Sequence, residues 1–144
     1  MYKIYCDFDA TVTVNDVWDK LFKEFGDPYA FKVWEKFNTG EFTAAQCIAA
    51  ACETVQAADP LMLEKMFLAE PIRPGFIQFI EFCKLKSLPI SIVSDGFSMY
   101  IRTMFAHNLI DLPYYANTVE VNNLGRLDAT FPLMRESWRY SAAC

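Results

Sequence analysis

Residues Tyr2 to Phe8 (YKIYCDF) form a short run of aromatic and β-branched residues that ends in acids. This is the pattern of a buried strand whose C-terminal end carries polar groups. From Asn15 the period lengthens: Val17, Trp18, Leu21, Phe22 and Phe25 share one helical face, and Gly26 follows as a stop. Asp27 and Pro28 supply an N-cap and a first-turn proline for a second helix, with Phe31, Trp34 and Phe37 on one side and Gly40 after it. Thr43 with Gln46 makes a capping box for a third, Ala-rich helix reaching Val55. Asp59 and Pro60 repeat the cap-plus-proline signature for a fourth helix, which Pro71 and Pro74 end. The aromatic stripes of these helices read as core.

After Pro74-Gly75 the stretch FIQFIEFCKLK is again helical, and LPISIVSDG is an apolar, β-branched run bounded by turn residues. Strand, crossover helix and strand make a βαβ unit, interrupted after its first strand by the four short helices. FSMYIRTMFAHNLI predicts another helix, and YYANTVEV followed by NNLGRLDATF predicts a β-hairpin with Gly125 at its bend. The expected fold class is α/β: a mostly parallel sheet core from residues 1–13 and 72–144, with a helical insertion over 14–71.

Composition narrows the partners. With 53% hydrophobic residues and a net charge of −5 over 144 residues, the chain has ample material for a core and lacks the basic footprint of a nucleic-acid or anionic-membrane binder. Neither partner is expected. No apolar run approaches membrane-spanning length and the N-terminus does not read as a secretion signal, so a cytoplasmic location is expected. Cys6, Cys47, Cys52, Cys83 and Cys144 show no CxxC or zinc-ligand spacing and, Cys144 excepted, read as buried thiols.

In a parallel sheet, ligands sit at the carboxyl ends of strands. Asp7, Asp9, Thr11 and Thr13 follow the first strand, and Ser94, Asp95 and Gly96 follow the second. Two carboxylates as close as Asp7 and Asp9 repel unless a cation sits between them, which points to a hard divalent ion such as Mg²⁺.

DFDAT followed by a strand-end Ser resembles the first and second motifs of the haloacid dehalogenase superfamily of aspartate-nucleophile phosphatases. The insertion looks like the four-helix cap of its phosphoserine phosphatase-like branch. CDFD, RPGF, VSDGF and the late hairpin ending in FP most resemble the methionine-salvage phosphatases within it. The resemblance implies a haloacid dehalogenase-like core and a Mg²⁺-dependent phosphomonoester hydrolase acting on a small phosphorylated metabolite through an aspartyl-phosphate. Asp7 would be nucleophile and metal ligand. Asp9 would be general acid and base, and a metal ligand through its backbone carbonyl. Ser94 and the backbone N–H groups of Asp95 and Gly96 would hold the phosphoryl oxygens, helped by the N-terminus of the next helix. In the family an acid placed like Asp16, at the start of the insertion, lies at the cap hinge near substrate, although a helix-dipole role explains it equally well. Arg73, where the insertion rejoins the core, is placed to meet a substrate anion, a surface Arg before Pro being the commoner case.

The family motif usually has Gly where this chain has Ala10, and Ala enters positive φ less readily. The family also carries a charge-neutralising Lys and a later strand ending in acids. No Lys follows Lys86, and Glu136 is the only acid after Asp128, so the expectation is that the C-terminal part bearing these groups is absent. Two further expectations follow. Catalysis would be weak, or reduced to binding Mg²⁺ or phosphate, and the open edge of the first strand would recruit a second chain as a homo-oligomer.

Overall fold

The computed structural model describes residues 2–132; the expectations placed on Glu136 and Cys144 lie outside them. Strand β1 (Ile4–Cys6) is followed by helices α1 (Val17–Phe25), α2 (Tyr29–Asn38), α3 (Ala44–Glu53) and α4 (Pro60–Ala69). Helix α5 (Phe76–Leu85), strand β2 (Ile90–Phe97), helix α6 (Ser98–His107) and strands β3 (Tyr114–Val121) and β4 (Leu127–Thr130) complete the order. The strands form one mixed sheet in the order β1-β2-β3-β4, parallel between β1, β2 and β3 and antiparallel in the β3-β4 hairpin. No helix of the described residues is long and apolar enough to cross a membrane.

Local chemistry explains most boundaries. Asp16 caps α1 by accepting the Asp19 N–H at 2.9 Å, and Thr43 and Gln46 cap α3 reciprocally. Asp59 accepts the Leu61 N–H at 2.9 Å in front of Pro60. Asp27 accepts the Tyr29 N–H at 2.6 Å, although α2 begins one residue later than the cap-plus-proline pattern predicts. The hairpin turns on Gly125, whose φ of 71° suits a residue without Cβ.

Two expectations are corrected. Strand β1 is shorter than Tyr2 to Phe8 and is not buried throughout: Tyr5 is 63% exposed, because among the described residues only β2 flanks this strand. Helix α2 packs its small residues innermost, with Ala30 and Val33 buried and Phe31, Trp34 and Phe37 half-buried beside them. The partner helix α3 offers an Ala-rich face, and close approach of two such helices leaves no room for rings between them.

The core runs without a break from the sheet into the four helices, through Phe8, Ile92, Phe97, Tyr100 and Met104 to Leu21, Phe22, Ile48 and Phe67. Entry to and exit from the helical insertion are bound together. Thr13 and Ile72 form an antiparallel bridge, the Val14 N–H donates to the Pro71 carbonyl at 3.1 Å, and the Arg73 N–H donates to the Val12 carbonyl at 2.8 Å. Glu70, only 4% exposed, accepts from the Asn15 backbone N–H at 2.7 Å and pairs with Lys20.

Candidate active site

The register of β1 on β2 decides what meets at the strand ends. Cys6 stands opposite Ile92, so the next residues of each strand bring Asp7 and Asp9 alongside Ser94 and Asp95. A cavity of about 220 Å³ opens there, lined by Asp9, Asp16 and Asp95 together with Trp18, Asp19, Trp34 and Ile48 from the insertion. Asp7 is exposed, and its carboxylate accepts from the Thr11 hydroxyl at 3.3 Å.

Between β1 and α1 the chain folds into a tight loop around one acceptor. The Phe8 carbonyl takes the N–H groups of Thr11, Val12 and Thr13 at 3.2, 2.8 and 3.2 Å, and the buried Thr13 hydroxyl as well. Ala10 sits in this loop at φ 53°. The backbone therefore keeps the left-handed conformation for which the related motif uses Gly, and Ala accepts the strain because the surrounding hydrogen bonds fix the turn. Ala10→Gly is expected to stabilise the fold by about 0.5–1 kcal/mol, strain relief slightly outweighing the entropy of a freer unfolded chain. An unchanged or lower urea midpoint would show that Ala10 is not strained.

Arg73 is placed at this loop and away from the cavity lining. Its guanidinium donates to the carbonyls of Thr11, Ala10 and Val14 at 3.1, 2.7 and 3.2 Å. It thus braces the turn that carries Asp9. Ser94, Asp95 and Gly96 lie within β2 and do not follow it; Ser94 is fully buried and accepts the Gly96 N–H at 3.0 Å, so that N–H is already used within the strand. Helix α6 starts at Ser98, one residue into the expected FSMYIRTMFAHNLI segment, and its N-cap Phe97 makes no side-chain capping hydrogen bond.

The sequence reading missed two residues. Tyr100, fully buried on α6, donates its phenol O–H to Asp9 Oδ2 at 2.5 Å. Asn117 of β3, 1% exposed, donates to the Asp95 carbonyl at 2.5 Å where β2 and β3 slip out of register. The signals were present: a hydroxyl in the apolar stripe of α6, and an amide in an aromatic, β-branched strand, each need a partner once buried.

Burial dominates the electrostatics. It pushes Asp9 up to about 7 from 3.8, reinforced by Asp16 and Asp7 and opposed by the hydrogen bonds from Tyr100 and the Val17 N–H, the latter 2.9 Å from Oδ1. Asp16 and Asp95 are likewise raised, by burial first. The charges that raise all three are other carboxylates.

Because folded Asp9 holds its proton more tightly than the unfolded chain does, stability falls as pH rises from about 4 to about 7 and is level above that. Asn at this position can still accept from Val17 and pair with the Tyr100 hydroxyl. Asp9→Asn is therefore expected to raise stability at pH 8 by an amount on the order of 2 kcal/mol, and by much less at pH 4. Urea midpoints at both values check this, and a gain of equal size at both would refute the assignment.

No family model matches the chain. It is 30% identical over 117 residues to the 2-hydroxy-3-keto-5-methylthiopentenyl-1-phosphate phosphatase of Exiguobacterium sibiricum, covering 80% of this chain and 53% of that one. Among solved structures, a haloacid dehalogenase family hydrolase of Salmonella enterica serovar Typhi superposes with a TM-score of 0.75 at 19% identity, over 90% of this chain and 45% of that one. The chain has the haloacid dehalogenase fold. A phospho-aspartyl intermediate analogue of phosphoserine phosphatase shares this fold with a TM-score of 0.71 at 22% identity, over 90% of this chain and 63% of that one. The chain spans about half the length of the curated relatives it matches. In this haloacid dehalogenase fold, β1, which leads into Asp7 and Asp9, pairs in parallel with β2, which carries Ser94.

Proposed function

We propose that this chain is a phosphomonoester hydrolase of small phosphorylated metabolites, working through an aspartyl-phosphate on Asp7. The reading is carried by one observation: exposed Asp7 and half-buried Asp9 follow a strand paired in parallel with the one that carries Ser94 and Asp95, and Asp9 and Asp95 line a cavity walled by the insertion. It is supported by relatives named as phosphatases of a methylthiopentenyl phosphate, which suggests substrates of that size.

In this reading an Asp7 carboxylate oxygen attacks phosphorus as the bond to the leaving oxygen breaks, and Asp9 gives its proton to that oxygen. Water, deprotonated by the Asp9 carboxylate so formed, then releases phosphate from Asp7. Burial favours the protonated Asp9 that the first step needs, and the carboxylate that step leaves serves the second. Ser94, its oxygen accepting from Gly96, keeps its O–H to donate to a phosphoryl oxygen. Helices α1 to α4, within residues 14–71, act as a cap that limits water and bulky substrates.

The donor chemistry fits Mg²⁺. The Asp7 carboxylate and the Asp9 backbone carbonyl are hard oxygen ligands in an acidic surrounding. Mg²⁺ is commonly held by one or two carboxylates with water and substrate phosphate. Bound there, Mg²⁺ supplies neutralisation of the phosphoryl and nucleophile charges.

A second reading, a weak or inactive relative that at most binds Mg²⁺ or phosphate, is favoured by the carboxylate-only surroundings of Asp9, Asp16 and Asp95 and by the commitment of Arg73 to carbonyls. Phosphate release from a panel of small phosphomonoesters, including the methylthiopentenyl ester, separates the two. Mg²⁺-dependent release abolished by chelation is the expected result. Saturable Mg²⁺ or phosphate binding in a calorimeter without release would select the second reading.

A further inference from the structure

We propose that Tyr100 is a positioning residue that holds the Asp9 carboxyl in the orientation needed to protonate the leaving oxygen; this rests on the phosphatase reading given above. Asp9 reaches the cavity from a loop, and a loop carboxyl free to rotate about its side-chain bonds would place its proton poorly. Here both oxygens are held. The Val17 N–H donates to Oδ1 at 2.9 Å, and the Tyr100 phenol donates to Oδ2 at 2.5 Å.

The phenol is itself immobile. Its ring is fully buried and packs against Phe8, Phe67 and Phe97 at centroid distances of 5.7, 5.7 and 5.8 Å. Space around the pair is closed too: a Cβ built on Gly96 would overlap both the Tyr100 hydroxyl and Asp9 Oδ2. The hydroxyl therefore has one partner and no room to leave it.

In the chemical step, the bond from phosphorus to the leaving oxygen breaks, a bond from Asp7 to phosphorus forms, and the Asp9 proton moves to the leaving oxygen. The product is an alcohol and a carboxylate at Asp9, which both hydrogen bonds then stabilise. Tyr100 touches neither phosphate nor leaving group. Its effect is felt only when that proton is needed.

This gives a test that a merely structural role would not pass. Tyr100→Phe keeps the ring and removes the hydroxyl, and it is assayed with Mg²⁺ on matched esters. In 4-nitrobenzyl phosphate the leaving alkoxide requires protonation, whereas in 4-nitrophenyl phosphate the leaving group departs as a stable anion. General acid catalysis is worth about 10² to 10⁴ in rate, so kcat on the benzyl ester is expected to fall on the order of 10²-fold, with KM unchanged, and kcat on the phenyl ester by less than about 3-fold. The ratio of the two rates within one preparation is independent of how much protein is folded. Equal losses on both esters overturn the proposal while leaving the phosphatase reading intact. No hydrolysis of either ester by the unmodified protein overturns both.

Discussion

Asp7→Asn is expected to remove phosphate turnover, by on the order of 10⁴-fold or more, while leaving the fold at least as stable. An amide oxygen is a poor nucleophile and a weaker ligand for a hard cation. The structural cost is small, since the Asp7 side chain is exposed and makes one hydrogen bond, to the Thr11 hydroxyl, that an amide oxygen can also accept. Removing this charge also relieves its neighbours, because Asp7 helps to raise Asp9, Asp16 and Asp95. The urea midpoint near neutral pH should be level or higher as turnover vanishes. An Asn variant that hydrolyses small phosphomonoesters at the original rate would end the case for an aspartyl-phosphate.

Gly96→Ala is expected to destabilise the protein by about 3 kcal/mol. The φ of Gly96 is not among the positive values, so the constraint is space alone. Its added Cβ would overlap the Tyr100 hydroxyl and Asp9 Oδ2 and lie 2.9 Å from Tyr100 Cζ, and the ring cannot retreat because it is buried on every side. A second substitution makes the cause visible. Tyr100→Phe in the Gly96→Ala background removes the nearest clashing atom and should recover part of the loss, giving a coupling on the order of 1 kcal/mol between sites that otherwise add. Strict additivity in urea denaturation would place the damage elsewhere.

Elements with local determinants were legible before the structure. The Thr43–Gln46 box and the Asp59-Pro60 pair mark helix starts that hold in three dimensions, because caps act within one turn. The parallel pairing of β1 with β2, which carries Ser94, was legible for a different reason: a βαβ unit has one hand, and its strand ends face one way. Tyr100 was hidden because in a chain with 16% aromatics a tyrosine on a buried stripe reads like a phenylalanine. What its hydroxyl meets depends on the loop carrying Asp9, far away in sequence. Arg73 was half legible. Its position where the insertion rejoins the core is readable from the sequence and offers a substrate anion as partner, but guanidinium recognition of three carbonyls requires the loop to exist first. Ala10 shows the converse, a local preference overruled by the hydrogen bonds gathered on the Phe8 carbonyl.

The clamp between Thr13, Asn15, Glu70 and Ile72 closes the insertion into a ring at its base, and the ring also leans on the core, Phe22 against Phe97, Phe67 against Tyr100 and the Ala58 N–H on the Gly125 carbonyl at 2.7 Å. The stretches of the ring between these contacts are the ones free to vary in length. Closing a loop grows costlier only with the logarithm of its length, about 0.6 kcal/mol per doubling. Residues can thus be added to or removed from those stretches while β1 keeps its register on β2. Two walls of the cavity, Trp34 and Ile48, belong to the ring, while Asp9 and Asp95 belong to the part below its base. Descent with modification can therefore redraw what fits in the cavity and leave the reacting groups as they are.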